Sequence, residues 1–122
     1  MPNTFLPLTT SDELHLALSQ SATQPIVLFK HSETCGMSFQ AHEEVAAALA
    51  DPAWDTDVHL VSVQRSRSVS NEIADRLGVR HASPQLLLLR DGVVRWQASH
   101  LSITAAALTQ ALARLRDQSI TT

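Results

Sequence analysis

A chain of 122 residues is the length of one domain, and 44% hydrophobic with 17% charged residues is the composition of an ordinary globule with enough apolar surface for a core. A net charge of −3, with Lys30 and eight scattered arginines as the only cations besides histidine, supplies no basic field for nucleic acid. No apolar run approaches the ~18 residues of a membrane span, and Met1-Pro2-Asn3-Thr4-Phe5 has neither the charged nor the apolar region of a signal peptide.

Residues 1 to 9, with Pro2 and Pro7, read as an irregular lead-in. Thr10 and Glu13 then form a capping-box pattern, and Leu14, Ala17 and Leu18 give an apolar face, which predicts a helix at about 11 to 21. Residues 26 to 30 are apolar on both faces and β-branched at Ile26 and Val27, the pattern of a buried strand. A second helix is predicted from about 36 to 50, with Ala41, Val45, Ala48 and Leu49 at helical spacing and Asp51-Pro52 as its stop. Val58 to Val63 is the next strand. Ser68 or Ser70 is expected to cap a third helix, with Ile73, Ala74 and Leu77 inward and Gly78 closing it. Leu86 to Leu89 is short and bounded by Ser83-Pro84 and Asp91-Gly92, so it reads as a strand, and Asp91-Gly92 is a hairpin signal leading to a returning strand at Val93 to Ala98. The last helix is predicted from near Thr104, burying Leu108, Ala111, Leu112 and Leu115. This order predicts two βαβ crossovers between parallel neighbours, then an antiparallel hairpin strand. The expected architecture is α/β: a central mixed four-stranded sheet flanked by helices, in a single domain over 1–122 with its core at about 10–118.

The one cysteine, Cys35, lies between the buried strand and the second helix. A free cysteine on an apolar stripe would be a small structural hydrophobe. Here His31, Ser32, Glu33 and Thr34 precede it and Gly36 follows, which is a polar loop at a helix start. That setting favours the thiolate, the nucleophile of disulfide exchange. The fourth position of the motif is Ser38, so the sulfur has no redox partner in the chain, and a lone thiol suits a reducing cytoplasm.

The element order, the cysteine after the first core strand and the proline before the hairpin resemble the thioredoxin-like pattern. Phe29-Lys30-His31-Ser32, Thr34-Cys35-x-x-Ser38, Val79-x-His81-x-Ser83-Pro84-Gln85 and Asp91-Gly92-x-Val94-x-Trp96-x-Ala98-Ser99-His100 resemble the monothiol bacilliredoxin family, over roughly residues 10 to 118. Gly36 departs from the family pattern, where proline is common. The resemblance implies a thioredoxin-like fold and a monothiol thiol-disulfide oxidoreductase. Its Cys35 would remove bacillithiol, as co-substrate, from oxidised client proteins carrying it in mixed disulfides. No bound cofactor is implied. The resemblance also implies a cis Pro84 facing Cys35, with the backbone of Ser83 offered to an extended substrate segment.

Around Cys35 the expected supporting residues are Ser38 and Thr34, with Gly36, Met37, Ser83, Pro84, His31 and His100 expected on the substrate side. Ser38 shares a helix face with Cys35 and either donates to the thiolate or is a solvated serine. Thr34 either caps the helix or aids the thiolate. Met37 either flanks the sulfur or fills the core. Three histidines, His31, His81 and His100, fall near element ends that could converge on Cys35. They lack compact ligand spacing, so no metal site is expected. His15, His42 and His59 read as surface residues. Two other function classes fit parts of the pattern. Cys35-Gly36-Met37-Ser38 differs by one residue from the Cys-Gly-Phe-Ser motif of iron–sulfur-carrying monothiol glutaredoxins, although Ala98-Ser99-His100 stands where those proteins carry a Gly-Gly pair. A non-redox binding module on the same fold would use the groove beside Cys35 and Pro84 without needing an acidic thiol. A thiol peroxidase would need a polar peroxide pocket.

Overall fold

The computed structural model describes residues 4–34 and 36–121, the side chains of 118–121 excepted. The expectations placed on Cys35 itself, its exposure, acidity and approach to Pro84, lie outside the described residues. Elements run β1 (Leu6–Pro7), α1 (Ser11–Gln20), β2 (Ile26–His31), α2 (Gly36–Leu49), β3 (Val58–Ser62), α3 (Arg67–Leu77), β4 (Gln85–Arg90), β5 (Val93–Ser99), a 3₁₀ turn (His100–Ser102) and α4 (Ala105–Thr121). They form a mixed sheet in the order β1-β3-β2-β4-β5.

Two expectations are corrected. The sheet has five strands, because the two-residue β1 pairs with β3 in parallel. β4 is antiparallel to β2, with Lys30 opposite Gln85 and Ile26 opposite Leu89, so the β3–α3–β4 connection is not a parallel crossover. β2 and β3 are the parallel pair joined by α2.

Alternation along β2 divides the core. Val27 and Phe29 pack with Ala41 and Val45 of α2 and Leu108 and Leu112 of α4. Ile26 and Leu28 pack with Leu14 and Ala17 of α1 and Val69 and Ile73 of α3. β4 alternates likewise, Leu86 and Leu88 to one side, Leu87 and Leu89 to the other. Trp54 is buried on the α2/α4 side, its Nε1–H donating to the Thr56 carbonyl at 2.5 Å.

Local chemistry sets the element ends. The Thr10 hydroxyl accepts from Glu13 N and the Glu13 carboxylate accepts from Thr10 N, completing the capping box. α3 begins at Arg67 with Ser66 as its cap residue, so Ser68 and Ser70 lie inside the helix, and Gly78 closes it in the left-handed region at φ 65°. At the hairpin, Asp91 (φ 58°) and Gly92 (φ 71°) are both left-handed, the geometry of a type I′ turn. Buried Ser21 holds this turn: its carbonyl accepts from Asp91 N at 2.7 Å and its hydroxyl from Gly92 N at 2.8 Å. Thr104 caps α4, its hydroxyl accepting from Ala107 N.

Candidate active site

β2 and β3 end together. Their ladder closes at His31 opposite Ser62, with Val63 N donating to the His31 carbonyl at 3.0 Å. From there one chain enters the segment Ser32-Glu33-Thr34, which leads through Cys35 to α2. The other enters Val63 to Ser66, which leads to α3 on the opposite face. Such a divergence at the carboxyl ends of parallel strands is where open α/β sheets place their ligand crevices.

Three successive amides of the first segment are bonded to side chains. Ser32 N donates to Ser38 Oγ at 3.0 Å, Glu33 N to Gln64 Oε1 at 3.0 Å, and Thr34 N to Ser32 Oγ at 3.4 Å. The Gln64 amide nitrogen also donates to Ser32 Oγ at 2.5 Å and to Thr34 Oγ1 at 3.2 Å. Arg65 Nε pairs with the Glu33 carboxylate at 2.9 Å. Gln64 escapes a sequence reading, since it is one polar residue in a polar connection some thirty positions from the segment it holds.

Ser38 is 1% exposed, so it is not a solvated serine. Helical spacing turns it inward with Ala41 and Val45, and its hydroxyl oxygen is occupied by Ser32 N. Thr34 is exposed and its hydroxyl engages Ser32 and Gln64. Gly36 is exposed and opens α2. Met37 is 41% exposed, not core filler, and Phe39 beside it is 69% exposed.

The Ser83–Pro84 bond is cis. One position beyond the Lys30–Gln85 pair, Pro84 lies alongside His31 at the same end of the sheet. His100, left-handed at φ 54°, donates its backbone N–H to the Pro84 carbonyl at 3.1 Å, with its side chain exposed. Ser83 Oγ is buried without a hydrogen-bond partner among the described residues. The sheet therefore brings His31, Ser83, Pro84 and His100 to the end where the Cys35 segment departs. A cleft of about 320 Å³ there is lined by His31, Ser32, Glu33, Ser38, Phe39 and His42; Met37, Ser83, Pro84 and His100 lie outside its lining. A larger groove, about 550 Å³, runs between α2 and α4 away from this segment, past Ala47, Trp54 and Ala106.

Of the three histidines expected at the surface, His15 is exposed, His42 is half-buried and His59 is buried. The His42 ring stacks near Phe5 at 4.5 Å and lies 6.1 Å from that of His31. Burial, then the neighbouring His42, pushes the His31 pKa down, against a smaller opposing pull from Glu33. His59 is buried, and burial lowers its pKa too. His15 is the partner of Glu72, at 3.1 Å, linking α1 to α3. His81 is exposed, and its pKa is lowered by desolvation and by the charges of Lys30 and Arg67. Lys30, which the sequence reading left without a role, is wholly buried; its Nζ donates to the Ser70 carbonyl at 3.2 Å, and burial lowers its pKa to about 8. Among the described residues no three His, Cys, Asp or Glu side chains cluster as a metal site, and no helix is long and apolar enough to cross a membrane.

Comparison with known proteins agrees with this geometry. A solved structure described as a candidate oxidoreductase with a thioredoxin fold superposes with a TM-score of 0.78 at 29% identity, covering 87% of this chain and 91% of its own. Thioredoxin from Nicotiana alata gives 0.72 at 21% identity, with 93% and 94% covered. Fasciola hepatica thioredoxin gives 0.71 at 18% identity, with 90% and 98% covered. The sheet order, the cis proline and the strand–loop–helix placement thus define a thioredoxin-fold thiol oxidoreductase. The family model described as monothiol bacilliredoxin BrxC matches residues 6–108, and the chain belongs to that family.

Proposed function

We propose that this protein removes bacillithiol from mixed disulfides on oxidised client proteins, with Cys35 as the attacking sulfur and a reducing cytoplasm as its setting. The carrying observation is membership of the monothiol bacilliredoxin family in a chain with one cysteine. In the reaction the Cys35 thiolate attacks the bacillithiol sulfur. The client–bacillithiol disulfide breaks, the client leaves as thiolate and takes a proton from solvent, and a Cys35–bacillithiol disulfide forms. A second thiol later attacks that disulfide, which regenerates Cys35 and leaves the bacillithiol in a new disulfide with the attacking thiol. No second cysteine is needed. Ser38, at the position a resolving thiol would take, is instead buried and bonded to Ser32 N, which supports the monothiol route. Exposed Met37 and Phe39 at the start of α2 supply apolar surface for a client segment, and the Ser83–Pro84 backbone supplies polar groups.

The test is release of client thiol from a client loaded with bacillithiol, measured for the parent and for Cys35→Ser. Equal rates would end the transferase reading. Faster discharge of glutathione than of bacillithiol mixed disulfides would keep the reaction class and replace the thiol. Visible absorbance after anaerobic iron–sulfur reconstitution would move the assignment to the cluster-carrier class.

A further inference from the structure

Counting protons in the Ser32–Thr34–Gln64 network fixes its direction. A hydroxyl oxygen has two acceptor sites and one proton to give. Ser32 Oγ accepts from the Gln64 amide at 2.5 Å and from Thr34 N at 3.4 Å, so both its acceptor sites are used. Its 3.3 Å contact with Thr34 Oγ1 must therefore run from Ser32 as donor to Thr34 as acceptor. Thr34 Oγ1 then accepts twice, from Ser32 and from the Gln64 amide at 3.2 Å. One proton is left over in the whole network, the hydroxyl proton of Thr34. Thr34 is the residue that immediately precedes Cys35 in the chain. The other end of the Gln64 amide, Oε1, cannot exchange roles with the nitrogen, because Glu33 N–H occupies it at 3.0 Å. The backbone thus locks the amide orientation, and the amide locks both hydroxyls.

We infer that Gln64 is a positioning residue for the chemistry of Cys35: it holds the Ser32-Glu33-Thr34 segment and leaves the Thr34 hydroxyl as the one donor not spent within the network. The inference rests on the reading of Cys35 as the reactive thiol. It does not depend on which small thiol is carried. Without the Gln64 amide, Ser32 and Thr34 each regain a free acceptor site and the hydroxyl protons can reverse direction. The donor on the residue before Cys35 is then no longer fixed.

The experiment is the pH profile of Cys35 alkylation by iodoacetamide in the full chain, with mixed-disulfide exchange measured alongside. Gln64 is exposed, so its substitution leaves the core intact. Gln64→Met removes all three bonds, and Gln64→Glu keeps an acceptor for Glu33 N while removing both donors. Each should raise the alkylation midpoint towards the free-thiol value of about 8.5 and slow alkylation at pH 7 by about fivefold to tenfold, the worth of one hydrogen bond. Thr34→Val should do the same, and Gln64→Met added to Thr34→Val should do nothing further. A merely structural glutamine would lower the melting temperature without moving the midpoint. Parental midpoints in both Gln64 variants, or effects that add to those of Thr34→Val, would overturn the inference. Failure of the parent to release client thiol would instead strike the proposed function, and the alkylation profile would still read the network.

Discussion

Lys30 is the chain's only lysine and is wholly buried between β2 and α3. An ammonium offers three donors, and the one partner it has among the described residues is the Ser70 carbonyl at 3.2 Å. None of the ion pairs of the described residues includes it. It repels the protonated form of His81, whose pKa it helps to lower. Buried without a counter-charge, the ammonium is disfavoured, and the pKa falls from 10.5 to about 8. The unfolded chain holds this proton up to about pH 10.4, whereas the native protein releases it near pH 8. Between those values the unfolded state binds more protons, so stability rises with pH. Below pH 8 the penalty is complete. At about 1.4 kcal/mol per pKa unit, the fall from 10.5 to about 8 is worth ~3 kcal/mol.

Lys30→Met keeps the unbranched shape and removes the charge. The lost bond to Ser70 costs about 1–2 kcal/mol, and that carbonyl keeps its helical partner in α3. The variant should therefore be more stable than the parent by about 1–2 kcal/mol at pH 7. The advantage should vanish by about pH 10. Urea unfolding of both proteins at pH 7, 8.5 and 10 measures this, since titrations common to both cancel in the difference. A stability difference that stays constant across that range would refute the reasoning.

The acid side is governed by depressed histidines. His59 is buried with Nε2 unpartnered among the described residues, and burial lowers its pKa. The unfolded chain protonates first, at about 6.5, so stability falls as pH drops below that value, and His59→Gln should flatten part of the slope in melting temperature between pH 7 and 5. Ser21→Ala should cost about 1–3 kcal/mol in urea unfolding, because it removes both hydrogen bonds of a buried hydroxyl, the one accepted from Gly92 N at 2.8 Å and the one donated to the Leu18 carbonyl at 2.6 Å.

Much of the fold is legible because it rests on local signals. Thr10 and Glu13 form the capping box their spacing announces, and Asp91-Gly92 makes the turn its residues require. The direction of β4 is not local: four consecutive leucines look alike in either orientation, and only pairing Ile26 with Leu89 distinguishes them. β1 is two residues long and contains a proline, so it has no periodicity to read. Ser68 and Ser70 look like caps, yet the helix starts ahead of both at Arg67 and buries Ser70. At the site, helical spacing places Ser38 inward, but nothing in it says that the hydroxyl will serve Ser32 N. Lys30 closes the strand predicted over residues 26 to 30, and nothing in that pattern says what its ammonium meets. Gln85 of β4 pairs with it there, and α3 covers it.

The dependence of the Cys35 segment on side chains has a topological cause. Parallel β2 and β3 send their chains to opposite faces of the sheet, so the ladder cannot continue past His31 and Ser62. Backbone N–H groups beyond that point still need partners. For residues 32, 33 and 34 these come from Ser38, Gln64 and Ser32. One of the three is from the helix ahead, one from the diverging connection, and one from the segment itself. The segment is therefore tied to both faces at once, and its geometry is set where α2 and the β3–α3 connection part. A change at Ser38 or Gln64 releases one tie while the β2–β3 ladder remains whole, so either residue can alter the Ser32-Glu33-Thr34 segment without altering that ladder.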